Sequence, residues 1–147
     1  MYGYKAIFFP VTGKNIANQD FSYDLLRRLI EEGHEIGLSS NNYPKLLEIG
    51  INEGSPKKDE VLKKEIGDNI SSLKRNGVGF VQVFLYPYGD VDSSILNVIR
   101  DTNIEMCLIP GNNLNLWGTN RFYHKYVVRT PRLNLKSLLN DMEKEDK

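Results

Sequence analysis

The sequence predicts an α/β fold in which short parallel strands alternate with helices that lie outside them. Short apolar runs recur along the chain, as in buried strands. Between them lie segments with apolar residues three or four positions apart, as in helices that cover a sheet. This alternation favours parallel pairing through crossover connections. With 147 residues and 40% apolar content, the chain can bury one core, so we expect a single domain over residues 1–147.

The chain is expected to begin with a strand, a helix and a second strand. Residues 6–9 form an apolar run that ends at Pro10, as a buried strand would. Asp20 is the predicted cap of a helix that ends before Gly33, since glycine favours the position after a helix. The second strand spans 34–38. The predicted apolar face of the helix consists of Phe21, Leu25, Leu29 and Ile30.

A longer helix and two further strands are expected next. Pro56 fits the first turn of a helix that ends at Gly77. Residues 80–85 are rich in strand formers. Asp92 can cap a third helix, which leads to a strand at 106–109. The apolar stripe of the long helix is Leu62, Ile66, Ile70 and Leu73. The last predicted elements are a strand at 126–128 and a helix carrying Leu135, Leu138, Leu139 and Met142.

Three segments that follow predicted strands are the expected place for a site. They span residues 39–44, 86–90 and 110–117. In parallel β/α folds, functional residues gather where the carboxyl ends of the strands meet. We therefore expect these three segments to share one face of the molecule.

The segment 32–44 carries the most informative pattern in the chain, EGHEIGLSSNNYP. It resembles the GHEIGNHTxxHP segment of the polysaccharide deacetylase family, in which the two later histidines bind a divalent metal. Residues 4–13 are similar to the family's KATFFVTG strand, and 84–90 to its FRPPYGD segment. Residues 110–112 and 129–133 match its closing segments more loosely. The resemblance therefore covers nearly the whole chain.

The resemblance implies a distorted (β/α) barrel and metal-dependent hydrolysis of N-acetyl groups on carbohydrate. In the family, a strand ending in TFDDG supplies the catalytic base and a metal-binding aspartate, and it precedes the strand that matches 6–9. No such segment occurs in this sequence. We therefore expect an incomplete barrel, open along one side. An exposed strand edge of this kind is usually covered, so we expect a homo-oligomer or pairing with a missing segment.

The chain departs from the family at the positions that carry chemistry. Ser39 and Tyr43 stand where the metal-binding histidines should be, and Leu85 replaces the arginine that orients the base. A serine hydroxyl is a poor neutral ligand, and a phenol must first lose a proton with a reference pKa of about 10. We therefore predict no tight transition-metal site and no cofactor. His34 is expected to be structural, and His124 lacks the flanking pattern that would identify it as the catalytic acid.

A carbohydrate ligand would find aromatic and amide side chains at this face. Aromatic rings offer apolar faces with polar edges, which suit stacking against a sugar. The candidate substrate contacts are Asn41, Asn42, Tyr86, Tyr88 and Trp117. Packing explains Tyr88 and Trp117 equally well. Turn chemistry is the simpler explanation for Asn112, Asn113 and Asn115.

Charge and composition exclude several classes of partner. Nineteen basic and nineteen acidic side chains cancel, so nothing attracts nucleic acid or an anionic membrane in general. Cys107 is the only cysteine and lies in an apolar run, where a buried inert thiol is expected. No transmembrane segment or signal peptide is visible. As the chain stands, we expect a cytoplasmic protein.

Three functions remain open. The favoured one is a catalytically degenerate deacetylase-like domain that binds glycan. The second is an active carbohydrate N-deacetylase completed by a missing segment or another chain, with Tyr43 or His124 as an unusual ligand. The third is a non-enzymatic assembly subunit that pairs through its exposed strand edge. Glycan binding without metal would separate the first function from the second. A stable oligomer that binds neither zinc nor glycan would indicate the third.

Overall fold

Strands and helices alternate in the computed structural model, which confirms the predicted α/β fold. The structure describes residues 4–13, 22–49, 57–110, 120–122 and 124–126. In chain order the elements are β1 (Ile7–Phe8), α1 (Tyr23–Glu31), β2 (Glu35–Ile36), a 3₁₀ helix (Leu46–Glu48), α2 (Lys58–Arg75), β3 (Val83–Leu85), a second 3₁₀ helix (Pro87–Gly89), α3 (Ser93–Arg100), β4 (Met106–Pro110) and β5 (His124–Tyr126).

The described strands pair in parallel and follow one another in chain order. β1 pairs with β2, and β3 pairs with β4, which pairs with β5. The two groups are joined by a parallel bridge between Leu38 and Phe84. There the Leu38 N–H donates to the Val83 carbonyl at 2.7 Å, and the Leu85 N–H donates to the Leu38 carbonyl at 2.9 Å. A described helix connects each of the first three strands to the next, as in a (β/α) barrel.

The core lies between the helices and one face of these strands. The strand residues Ile36, Leu38 and Phe84 are fully buried, or nearly so. The helices contribute Leu26, Leu62, Ile66, Leu73, Ile95, Val98 and Ile99. Gly37 is required at its position because a Cβ there would overlap the Phe9 ring. This close approach brings the end of β1 against β2.

Some predicted boundaries are correct and others are not. Asp92 caps α3, with its carboxylate accepting from the Ile95 N–H at 2.9 Å. Gly33 and Gly77 follow their helices with φ of +86° and +65°, the left-handed conformation that glycine adopts without strain. The predicted cap of α1 is wrong, because Ser22 fills that position and accepts from the Leu25 N–H. Asp20 lies outside the described residues.

Two further predictions fall partly outside the described residues. α2 begins at Lys58 with Lys57 as its cap, and Pro56, the predicted first-turn residue, lies outside the described residues. The last described strand spans His124–Tyr126, so it shares Tyr126 with the predicted strand 126–128 and places His124 within a strand. The predicted terminal helix lies outside the described residues. In the part of the chain that the structure describes, no helix has the length and apolar character needed to cross a membrane.

Candidate functional site

The loops after β1, β2 and β3 touch one another at one end of the sheet. The Gly13 N–H, after β1, donates to the Asn41 carbonyl, after β2, at 2.6 Å. The Leu47 N–H, further along the β2 loop, donates to the Asp90 carboxylate, after β3, at 3.2 Å. These contacts bring the predicted segments 39–44 and 86–90 to one face. Of the third predicted segment, 110–117, the structure describes Pro110.

A single buried side chain from α2 links the first two of these loops. The Asn69 amide group donates to the Pro10 carbonyl at 3.0 Å and to the Thr12 hydroxyl at 3.1 Å. A longer contact of 3.4 Å joins it to the Ser40 carbonyl. Its amide oxygen accepts from the Ser39 N–H at 3.3 Å. Asn69 therefore fixes the ends of β1 and β2 relative to α2.

Asn41 and Asn42 are engaged with neighbouring elements of the protein. The Asn41 side-chain oxygen accepts from the Thr12 hydroxyl at 3.1 Å. Asn42 binds the Glu65 carboxylate of α2 twice, through its backbone N–H at 2.7 Å and its side-chain amide at 2.9 Å. Asn42 is nevertheless exposed and Asn41 partly so. These contacts hold the loop after β2 in a defined shape.

Ser39 and Tyr43 differ sharply in their surroundings. Ser39 is fully buried, and its hydroxyl lies 3.4 Å from the Leu85 carbonyl, to which it donates. Tyr43 is partly buried, and its backbone N–H donates to the Ser40 hydroxyl at 2.9 Å. The φ of Tyr43 is +55°, in the left-handed region that is strained for a bulky side chain.

The ring of Tyr43 packs against the ring of Tyr88 in the next loop. The centroids lie 5.0 Å apart, and the ring planes are tilted by 53°. Tyr88 also has a φ of +55° and is 59% exposed. Gly89 follows it, where an added Cβ would lie 2.6 Å from Pro110. The loop after β3 is therefore held between the Tyr43 ring and the end of β4.

Tyr86 lies in the core, which argues against its predicted contact with substrate. Its ring is fully buried and meets Phe84 edge-on, with 5.4 Å between centroids. A side chain with no exposed surface cannot stack against a sugar. Leu85, at the position of the family arginine, is partly buried beside it. Of the aromatic residues predicted in this loop, Tyr88 is the one that faces solvent.

The remaining candidate site residues lie away from this face or outside the described residues. His34 accepts from the Ala6 N–H through Nδ1 at 3.2 Å, and its ring meets Phe8 edge-on. These contacts agree with its predicted structural role. His124 pairs with Leu108 in the strand ladder. Trp117, like Asn112, Asn113 and Asn115, lies outside the described residues.

The family model for polysaccharide deacetylases matches residues 1–107, most of the chain. The chain belongs to the polysaccharide deacetylase family. No curated protein matches it. By the resemblance of the motifs, the family's GHEIG segment corresponds to residues 33–37, which include β2, and Ser39 and Tyr43 stand where the pattern has histidine.

The fold of this polysaccharide deacetylase family member is similar to that of solved deacetylases. For the deacetylase PplD of Streptococcus pyogenes, in complex with acetate, the TM-score is 0.78 at 16% identity, over 96% of this chain and 60% of that one. For a de-N-acetylase of Aggregatibacter actinomycetemcomitans the TM-score is 0.72 at 16% identity, over 95% and 65%. A family 4 carbohydrate esterase of Streptomyces lividans, also in complex with acetate, gives 0.58 at 19% identity, over 74% and 50%. At these identities the likeness shows the fold alone, and the chain spans less than two thirds of each of these proteins.

The described residues do not fit the metal that the family implies. Ser39 is enclosed and hydrogen-bonded to backbone, and Tyr43 is packed against another ring. Neither group is a good ligand when neutral. Across the described ranges, no three His, Cys, Asp or Glu side chains come together as a metal site would need. The donor set on this face is therefore unsuited to zinc chemistry.

Cys107 does not add a reactive group to this region. Burial raises the pKa of its thiol to about 11, against smaller opposing effects from its hydrogen bond with Tyr86 and from the charge of Arg121. A thiol with such a pKa stays protonated and unreactive at neutral pH. The predicted burial of Cys107 is therefore confirmed.

Asn69 is the residue that the sequence analysis missed. Its position falls between Ile66 and Leu73 on the apolar stripe of α2, in phase with the buried residues. A polar residue at such a position must find buried hydrogen-bond partners, because leaving them unpaired is costly. An asparagine in phase with Ile66 and Leu73 was therefore the feature of the sequence that could have identified Asn69 as a buried, hydrogen-bonded residue.

A polar cavity of about 420 Å³ lies beside the Asn69 network. Its lining joins the loops after β1 and β2 to one side of α2 and the start of α1. The lining residues are Thr12, Gly13, Tyr23, Asn41, Asp68, Ser71, Ser72, Arg75 and Asn76. Asn41 belongs both to this cavity and to the loop that carries Tyr43.

Proposed function

We propose that this chain is a catalytically degenerate member of the polysaccharide deacetylase family that binds glycan without hydrolysing it. This proposal rests on the surroundings of Ser39 and Tyr43, the residues that stand where the family pattern has two metal-binding histidines. Ser39 is buried and hydrogen-bonded to backbone, and Tyr43 is packed on Tyr88. Without a metal, nothing at this face would generate hydroxide near neutral pH or polarise an amide carbonyl.

Retained features of the face support glycan binding. Tyr88 presents an exposed ring at the junction of two loops, and Asn41 and Asn42 lie in the adjoining loop. An aromatic ring beside amide groups matches the apolar face and the hydroxyl edge of a sugar. Trp117 is a further proposed contact. The chain's balanced charge favours a neutral ligand over a strongly anionic one.

Calorimetric titration of metal-free protein with zinc tests the loss of catalysis. We expect no saturable binding and no acetate release from N-acetylated oligosaccharides, with or without added zinc. The control is the Tyr43→His variant alone and combined with Ser39→His, each checked for folding by circular dichroism. In this loop the double variant should gain zinc affinity, because it places two imidazoles four residues apart.

One-to-one zinc binding by the unaltered protein, together with acetate release, would overturn the proposal. It would favour an active metal-dependent N-deacetylase completed by another segment or chain, with Tyr43 or His124 as a ligand. Zinc binding without acetate release would contradict the proposed loss of the metal site, but it would agree with the proposed loss of catalysis.

A second proposal concerns assembly through β1. Ile7 and Phe8 are 37% and 39% exposed, and within the described residues β1 pairs on one side, with β2. An apolar strand edge of this kind tends to pair with another strand. We propose that a second copy of the chain covers it.

A further inference from the structure

The geometry points to Tyr43 and Tyr88 as a two-ring platform that stacks against the apolar face of a neutral pyranose. The glycan binding proposed above is a premise of this inference. The inference adds the side chains that contact the glycan and the class of ligand, a neutral pyranose. It also assigns a binding role to Tyr43, which stands where the family pattern has a metal-binding histidine.

The backbone at both tyrosines is strained in the same way. Among the described residues, Tyr43 and Tyr88 are the non-glycine residues with positive φ, each at +55°. A bulky side chain in this region is an outlier that the surrounding structure must hold in place. The Ser40 hydroxyl binds the Tyr43 N–H at 2.9 Å, and the Tyr86 carbonyl binds the Gly89 N–H at 3.0 Å. Strain maintained at two touching residues indicates a functional arrangement.

The exposure of the rings fits a ligand-binding surface better than packing. Tyr88 remains 59% exposed although its ring lies 5.0 Å from that of Tyr43. A tyrosine that served the core would bury its ring, as Tyr86 does nearby. The partly buried Tyr43 ring instead supports Tyr88 from within. The 53° tilt leaves two aromatic faces at an angle to each other, beside solvent.

The rim of the platform is polar and balanced in charge. Lys45 and Glu48 form an ion pair of 2.9 Å in the loop that carries Tyr43. The hydrogen bond to Glu48 raises the pKa of Lys45. Between these two residues, the Leu47 N–H donates to the Asp90 carboxylate at 3.2 Å, which joins this segment to the loop that carries Tyr88. Aromatic faces with paired charges beside them suit a neutral sugar, whose hydroxyl groups can meet the rim.

Substitution of Tyr88 by glycine separates a binding role from a packing role. Glycine adopts a φ of +55° without strain, and the exposed Tyr88 ring contributes little buried area. We expect Tyr88→Gly to leave the melting temperature unchanged or higher and to weaken glycan binding about tenfold, the upper end of the scale of a lost aromatic contact. A residue present only for packing would show the opposite pattern, with lower stability and unchanged binding.

The test is calorimetric titration with chitotetraose and cellotetraose, which differ in the N-acetyl group. The variants are Tyr88→Gly, Tyr88→Phe and Tyr43→Ala, with Tyr4→Ala as the matched control for loss of an exposed tyrosine. We expect Tyr88→Phe to bind within about threefold of the unaltered protein, since stacking needs the ring and not the hydroxyl. Tyr43→Ala should weaken binding, and Tyr4→Ala should not.

The outcomes separate this inference from its premise. If the unaltered protein binds and Tyr88→Gly binds equally well, the platform is wrong and glycan binding stands. If Tyr88→Gly lowers the melting temperature and leaves binding unchanged, the tyrosines serve packing and the platform is again overturned. If the unaltered protein binds neither oligosaccharide, both the platform and the proposed function are overturned.

Discussion

At the residue scale, the ends of two strands depend on the side chain of Asn69. Removing its amide in Asn69→Ala leaves the Pro10 carbonyl and the Ser39 N–H without their buried partner. Buried polar groups that lose their partners cost about 1–3 kcal/mol each, so we expect the free energy of unfolding to fall by at least about 2 kcal/mol. Urea denaturation followed by circular dichroism measures it.

Asn97→Ala is the matched control for this substitution, because Asn97 lies exposed on α3. It should change the free energy of unfolding by less than about 0.5 kcal/mol, as surface substitutions usually do. Equal stability of Asn69→Ala and the unaltered protein would show that water replaces the amide, and that Asn69 does not fix the two loops.

Individual residues show why the sequence predicted parts of the site and missed others. Ser39 and Tyr43 were identified because a linear motif carries them. The burial of Tyr86 was missed, because three neighbouring aromatic and proline residues give no periodicity that separates core from surface. The approach of Tyr43 to Tyr88 joins two loops far apart in the sequence, and no local pattern encodes such a contact.

At the scale of elements, the Asp92 carboxylate joins the start of α3 to α2. Its Oδ2 lies 2.8 Å from the Lys58 ammonium, and its Oδ1 accepts from the Ile95 N–H. Burial raises the pKa of Asp92, but the hydrogen bonds from Lys58, Ile95 and Ser94 outweigh it and lower the pKa to about 2. Because the pKa is lower in the folded state, stability from this group is present above about pH 4 and is lost as the pH falls toward 2.

Asp92→Asn measures this contribution, since the asparagine side-chain oxygen can still cap the helix while the charge and the acceptor for the Lys58 ammonium are lost. We expect a loss on the order of 1 kcal/mol at pH 7, after a discount for the carboxylate's partial exposure to solvent. The loss should shrink as the pH falls from about 4 to 2 in urea denaturation. Glu105→Gln removes an exposed carboxylate as a control. A loss independent of pH would contradict the charge effect.

The presence and type of the helices and strands were predicted better than the residues at which they begin and end. The cap of α3 and most of the α2 stripe follow from local sequence and appear where expected, although Ile70 is only partly buried. The start of α1 was placed too early, because Asp20 and Ser22 are both good caps and the sequence alone does not rank them. The start of β5 was placed two residues too late, since a short strand is defined by its pairing with β4 more than by its own residues.

At the scale of the whole molecule, the fold rests on many positions and the family's chemistry on few. The parallel strands and the buried core draw on residues of the three α-helices and of the strands. The chemistry that the resemblance implies depends on a few side chains, and Ser39, Tyr43 and Leu85 stand where its motifs have two histidines and an arginine. Membership of the family therefore shows the architecture of this chain, whereas its activity is a proposal.

Among the described residues β1 has one unpaired edge, and this edge gives a prediction about assembly. The Ala6 and Phe8 carbonyls accept from β2, so alternation along the strand directs the Ile7 N–H and carbonyl to the open side. The net charge of the chain is zero, so copies of it do not repel one another strongly. We expect a dimer whose population rises with concentration in sedimentation velocity experiments.

Ile7→Lys tests the edge directly, because a lysine on an edge strand opposes pairing with another strand. It should raise the dissociation constant of the dimer at least about tenfold, which corresponds to roughly 1.4 kcal/mol. Met106→Lys is the matched control, since it places the same charge on an exposed apolar residue of β4, a strand that is paired on both sides. A monomer at every concentration would contradict assembly through β1, whereas equal weakening by both variants would place the interface elsewhere on the apolar surface.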